Sequence, residues 1–63
     1  MKAQIKINLD NVIFQHGDGK ELGRLLLSLA KDVENCNACN VGSYIPIIEI
    51  NVNRVGEFEI VED

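Results

Sequence analysis

Apolar and polar residues alternate singly over residues 2–9, with Ala3, Ile5, Ile7 and Leu9 on one side and Lys2, Gln4, Lys6 and Asn8 on the other. A period of two is that of a strand with one wet face. Asp10-Asn11 ends it with side chains that satisfy turn backbone. The period then lengthens: Leu22, Leu25, Leu26, Leu29 and Val33 form one stripe on a 3.6-residue repeat. A helix is predicted over residues 18 to about 34. Asp18 and Glu21 have capping-box spacing, Lys31 suits the C-terminal end, and Asn35 is placed to stop the helix in the left-handed conformation. The apolar patch Val12-Ile13-Phe14 precedes the helix, with Phe14 expected beneath it.

Residues 35–43 are polar and turn-rich, a loop without periodicity. Alternation returns over residues 44–52, where Ile48, Ile50 and Val52 are expected to face the core with Tyr44 and Pro46 in phase. Pro46 has no N–H to donate, which assigns this strand to a sheet edge. After a tight connection around Val52-Asn53-Arg54, Phe58 and Ile60 point inward and Glu57 and Glu59 outward in a strand over residues 56–61.

The predicted order is β-α-β-β, a single α+β domain spanning residues 1–63, with one helix on a three-stranded, mostly antiparallel sheet. Strand order 1-3-2 is favoured because it leaves the proline strand at an edge and sets Lys2 and Lys6 beside Glu57 and Glu59. Order 1-2-3, with a right-handed crossover, is the alternative.

Size and charge narrow the function. A chain of 63 residues buries only about 60% of its unfolded surface. That lowers the expectation of an enzyme and raises that of an oligomer or complex. Ten acidic residues against six basic give a net charge of −4. The acids Asp32, Glu34, Glu49, Glu57, Glu59, Glu62 and Asp63 follow one another with Arg54 as the only base among them. No basic patch is present to neutralise phosphates, so direct nucleic-acid binding is not expected. An acidic surface suits a basic protein surface, including the nucleic-acid groove of another protein. Its plainer role is solubility. No long apolar run or leader pattern appears, so a cytoplasmic chain without membrane contact is expected.

The segments Ile7-Asn-Leu-Asp-Asn, Phe14, Glu21-Leu-Gly-Arg-Leu-Leu and Asn51-Val-Asn-Arg-Val-Gly-Glu-Phe-Glu-Ile60 resemble a family of small phage and prophage proteins. Members read as a strand ending in an Asp-Asn-Ala-Ala-Phe pattern, a Leu-Ala-Arg-Ile-Leu helix and a hairpin of the Asn-Gly-Asn-x-Val-Gly type. The likeness covers about three-quarters of the chain. This chain departs at Val12-Ile13, in place of two alanines, and at Val52, in place of the turn glycine. The resemblance implies phage origin, hence a host cytoplasm, and implies no catalytic residues.

The remaining chemical candidates are few. Cys36-x-x-Cys39 lacks two further zinc ligands. His16 lies on the far side of a helix of about 16 residues, some 24 Å long at 1.5 Å per residue, so one chain does not bring it to the cysteines. A redox CxxC belongs at a helix N-terminus, not after a C-terminus. Two incidental loop thiols is the simpler reading. His16 with Asp18 is more simply a solvated loop pair than an acid–base pair, and capping by Asp18 competes with anion binding at Gly17-Asp-Gly19. No cofactor or metal is expected.

The expected function is that of a non-catalytic, phage-encoded protein docking on a host immune or regulatory protein, with anti-CRISPR action as one example and nucleic-acid mimicry as one route. The expected contact residues are Glu49, Glu57, Glu59, Glu62, Asp63 and Leu27. Leu27 lies about 100° or more from the centre of the buried stripe. The alternatives are a homo-oligomeric structural or ligand-sequestering protein, a homodimer included, that buries Leu27, Ile45 and Ile47 against a second copy, and a Cys36/Cys39 metal or redox module.

Overall fold

The computed structural model describes residues 1–15 and 19–63. Three strands, β1 (Lys2–Ile7), β2 (Tyr44–Ile48) and β3 (Arg54–Val61), form a sheet of order β1-β3-β2, and one helix, α1 (Lys20–Asn35), packs on it. Both pairings are antiparallel. This is the predicted α+β arrangement, with β2 and its proline at an edge. A 3₁₀ turn at Val12–Phe14, capped by the Asn11 side chain accepting from the Ile13 N–H, brings Phe14 against the core beside α1.

The core is Leu25 and Leu29 of α1, Ile47 of β2, Val55, Phe58 and Ile60 of β3, and Ala38 from the loop after the helix. Val55 and Phe58 have opposite parity, so a regular strand would send them to opposite faces. The register slips between Ile47 and Ile48, leaving Val55 as the extra residue of a bulge and admitting it to the core. Gly56 stands beside it, paired with Ile7 on one side and Ile47 on the other. A Cβ there would overlap the Lys6 carbonyl and lie 2.9 Å from Ile7 Cα, so only glycine admits β1 at this register.

Four expectations need correction. The inward residues of β2 are Ile45 and Ile47, whereas Ile48, Ile50 and Val52 are 41%, 60% and 80% exposed. The period of two stops at Ile48, and residues 49–53 form the turn, so counting alternation back from Val52 inverted the strand. Glu49, expected on the wet face, is 2% exposed in that turn. Next, α1 begins at Lys20 with Gly19 (φ 68°) as an N-cap lacking a side-chain bond, and the left-handed residue after it is Asn37 (φ 50°), not Asn35. Among the described residues, Glu21 accepts from Arg24 and from the Ile50 N–H. Asp18 and His16, with the capping box, acid–base and Gly17-Asp-Gly19 anion readings that use them, lie outside the described residues. Finally, Ala3 and Ile5 face the helix layer without being covered, Ile5 remaining 51% exposed, and Leu9, beyond the strand, is 47% exposed. The helix packs toward β2 and leaves β1 open.

Val52 occupies the left-handed region (φ 68°), where a β-branched residue is strained. Val52→Gly is therefore expected to stabilise the chain by about 1 kcal/mol, the left-handed penalty outweighing the added unfolded-state freedom. Urea unfolding should show a higher midpoint at constant slope. A lower midpoint would mean that the exposed valine contributes more than its backbone costs.

Candidate functional site

The expected contact residues do not converge. Glu57 and Glu59 project from the sheet face opposite α1, both half-buried, while Leu27 is 68% exposed on the outer side of the helix. Glu62 and Asp63 are exposed beyond β3, with Asp63 accepting from the Met1 amine at 2.9 Å. Glu49 is interior. No single acidic surface contains the set.

Strand pairing explains why the open sheet face is not acidic. Lys6 lies directly opposite Glu57, and Gln4 opposite Glu59, while Lys2 pairs with Val61 and reaches Glu59 only diagonally. On the other side Pro46 faces Glu57 and Tyr44 faces Glu59. Arg54 extends along this face, donating to the Tyr44 hydroxyl, with its guanidinium 5.5 Å from the Tyr44 ring centroid and 3.7 Å from Glu57. Three cations and two carboxylates therefore share this face on β1 and β3, and an apolar strip of Tyr44 (47% exposed), Pro46 and Ile48 lies beside them along the β2 edge. No second layer covers this strip among the described residues.

Two other carboxylates are engaged in structural bonds, Glu21 holding the hairpin to the helix and Glu49 holding the hairpin turn itself. Glu21 accepts from Arg24 through both oxygens at 2.7 Å, and its Oε2 also accepts from the Ile50 N–H at 2.9 Å. The Arg24 bonds, aided by the Ile50 N–H, hold the Glu21 carboxyl below the usual carboxylate range. Glu49 Oε1 accepts from the Asn53 N–H at 2.9 Å, closing the turn from inside, and buried Oε2 has no partner among the described residues. The hydrogen bonds to Glu21, with a smaller contribution from the Glu49 charge, raise the Arg24 pKa above its usual value. Sequence reasoning missed the structural role of Glu49. Its available signal was an acid at the start of a five-residue connection ending in asparagine, where a side chain can serve the loop backbone.

Cys36 and Cys39 are free and exposed. No group of three or more His, Cys, Asp or Glu residues suited to a metal occurs among the described residues.

The remaining feature is a groove of about 410 Å³ between β1 and α1, walled by Ile5, Leu26, Ala30, Val33 and Glu34 and floored by Leu29 and Phe58. It exists because one helix does not span three strands. The apolar arc of α1 extends past the covered stripe through Leu26 and Ala30 to Leu27, so the helix itself carries more apolar surface than the sheet takes up.

No protein-family model, curated protein or solved structure matches this chain. The fold and surfaces define a small α+β domain with one uncovered sheet face, and no described helix is long and apolar enough to cross a membrane.

Proposed function

We propose that this chain is a non-catalytic binding module that docks on another protein through the open face of its sheet. The observation carrying this reading is the uncovered strip Tyr44-Pro46-Ile48 on the edge strand, an aromatic residue with apolar neighbours beside Arg54 and next to the charged residues of β3, residue types enriched in protein-binding patches. The non-catalytic reading is supported by the engagement of Glu21 and Glu49 in structural bonds. With phage origin, as the family resemblance implies, the partner is a host protein in the host cytoplasm. Glu57 and Glu59 share that face with Lys2, Lys6 and Arg54, charges of both signs, so mimicry of a uniformly negative nucleic-acid backbone is the less supported route.

The test is affinity capture from host cells expressing the tagged chain, comparing wild type with Tyr44→Ala/Ile48→Glu. Both side chains are substantially exposed, so the double variant keeps its fold, verified by circular dichroism. A protein captured by wild type and lost with the variant supports the reading. Equal recovery by both, or no specific protein at all, overturns it.

A further inference from the structure

The sheet ends in β1 on one side and β2 on the other, and only the β2 end is blunted. Backbone groups of an antiparallel strand point alternately toward and away from its partner. Ile60 donates its N–H to the Ser43 carbonyl, so Ser43 and Ile45 bond β3 and the nitrogen of Pro46 stands on the open side. There it offers no N–H to a further strand. At the other end Asn8 donates to the Val55 carbonyl, and the Lys6 carbonyl is directed at Gly56, so the even-numbered residues of β1 bond β3. The N–H and C=O groups of Ala3, Ile5 and Ile7 therefore point outward, with no proline among them. No strand lies beyond β1 among the described residues.

The two faces of this edge say what kind of strand fits beside it. On the helix side, every second side chain of an added strand enters the groove walled by Ile5, Leu26, Ala30 and Val33. Ile5 is 51% and Leu26 43% exposed there, so apolar side chains fit. Glu34 is the only charged residue lining that groove, since Arg24 and Lys31 lie on the arc of α1 beyond Leu27. On the opposite face stand Lys2 and Lys6, neither of which forms an ion pair among the described residues. Glu57, across from Lys6, lies 3.7 Å from Arg54 instead. An added strand lies about 4.8 Å from β1 and twice that from β3, so the lysines outweigh Glu57 and Glu59 there. At the ends of the edge the Met1 amine is bound by Asp63, Glu62 stands next to it in sequence, and Asp10 lies past the strand. A second copy of β1 in that place would gather four lysines on one patch of the joined sheet, whereas acids at alternate positions would pair with them. The inner side of β1 already accepts that pattern, because β3 presents Glu57-Phe-Glu-Ile60 to it.

We infer that the outer edge of β1 binds an extended segment of another protein in which apolar and acidic residues alternate. The segment adds to the sheet as a fourth strand. Its apolar side chains enter the groove between α1 and β1, and its carboxylates lie beside Lys2 and Lys6. This site is at the end of the sheet away from Tyr44 and Ile48, and it does not depend on the partner surface proposed above.

Fluorescence polarisation with the whole chain tests this. The probe is a labelled peptide as long as β1, six residues, alternating glutamate with valine and phenylalanine. It should bind saturably at micromolar concentration. The same peptide with lysine for glutamate should bind about tenfold more weakly, two attractive cross-strand pairs having become repulsive. N-methylation of one alternate set of its amides should abolish binding and methylation of the other set should spare it, because only one set faces β1. Ile5→Pro removes an N–H that β3 does not use and should abolish binding in a chain that still melts cooperatively, as Pro46 is accommodated in β2. The peptide arms need no variant, so they decide the matter even where Ile5→Pro fails to fold. Absence of binding at millimolar concentration, equal binding of the lysine peptide, or equal binding of the two methylated forms would each overturn the inference. So would undiminished binding by folded Ile5→Pro, or a dimer of the chain itself that Ile5→Pro dissolves. Capture through Tyr44 and Ile48 is read separately, so either proposal can fail alone.

Discussion

Gly56→Ala is expected to prevent β1 from pairing with β3 and to leave the chain largely unfolded at room temperature. The added methyl would overlap the Lys6 carbonyl and crowd Ile7 Cα, which are backbone atoms with no rotamer to yield. Relief requires β1 to move away from the middle strand, which breaks the ladder from Ile7 back toward Lys2. Substitutions of this kind cost upwards of ~4 kcal/mol. A domain of 63 residues has a total stability of only about 3–9 kcal/mol. Circular dichroism should show loss of the cooperative thermal transition, and amide exchange should show the unprotected residues starting in β1. A variant that melts with wild type would show that β1 does not need this register.

Phe58→Ala is expected to cost about 3–5 kcal/mol, the next largest effect. Phe58 is 5% exposed, pairs with Ile5 on one side and Ile45 on the other, and forms the floor of the groove together with Leu29. Truncation would extend that groove into the core, where the neighbouring strands cannot close over it without losing their ladders. Ile5→Ala, one strand away on the same face, removes a side chain already half in water and should cost less than ~1.5 kcal/mol in the monomer. Denaturant titration of the two variants ranks them. Equal losses would mean that β1 is covered as well as β3, contrary to the open groove.

The elements that could be read from the residues were those whose period is local. Leu25 and Leu29 are buried where the 3.6-residue stripe places them, and Phe58 and Ile60 where alternation places them. Pro46 led to the edge assignment and thereby to strand order, because a residue without an N–H is excluded from the middle of a ladder. Alternation misled where a strand ran into its turn. Ile48, Ile50 and Val52 alternate with Glu49 and Asn51, but that alternation belongs to the turn, whereas Ile45, Ile47 and Ile48 of the strand itself carry no phase of two. The phase was set by pairing with β3, which seats Ile47 opposite Gly56, and by the bulge that adds Val55.

The candidate surfaces divide in the same way. That Leu27 is exposed followed from its angle on the helix, and that Glu57 and Glu59 face away from the core followed from parity. Whether those carboxylates formed an acidic patch depended on which strands flank them. Pairing placed Lys6, Gln4, Tyr44 and Pro46 there, and Arg54 joined from along the same strand. The fate of Glu49 depended on a turn whose interior N–H groups needed an acceptor. The residues alone thus determined the elements, their order and the helix face that seeks a sheet, since these follow from side-chain spacing along one segment. Only the tertiary structure decided the phase of β2, the burial of Glu49 and the strip of β1 left bare, because each depends on where a second segment lies and how far a single helix reaches across three strands.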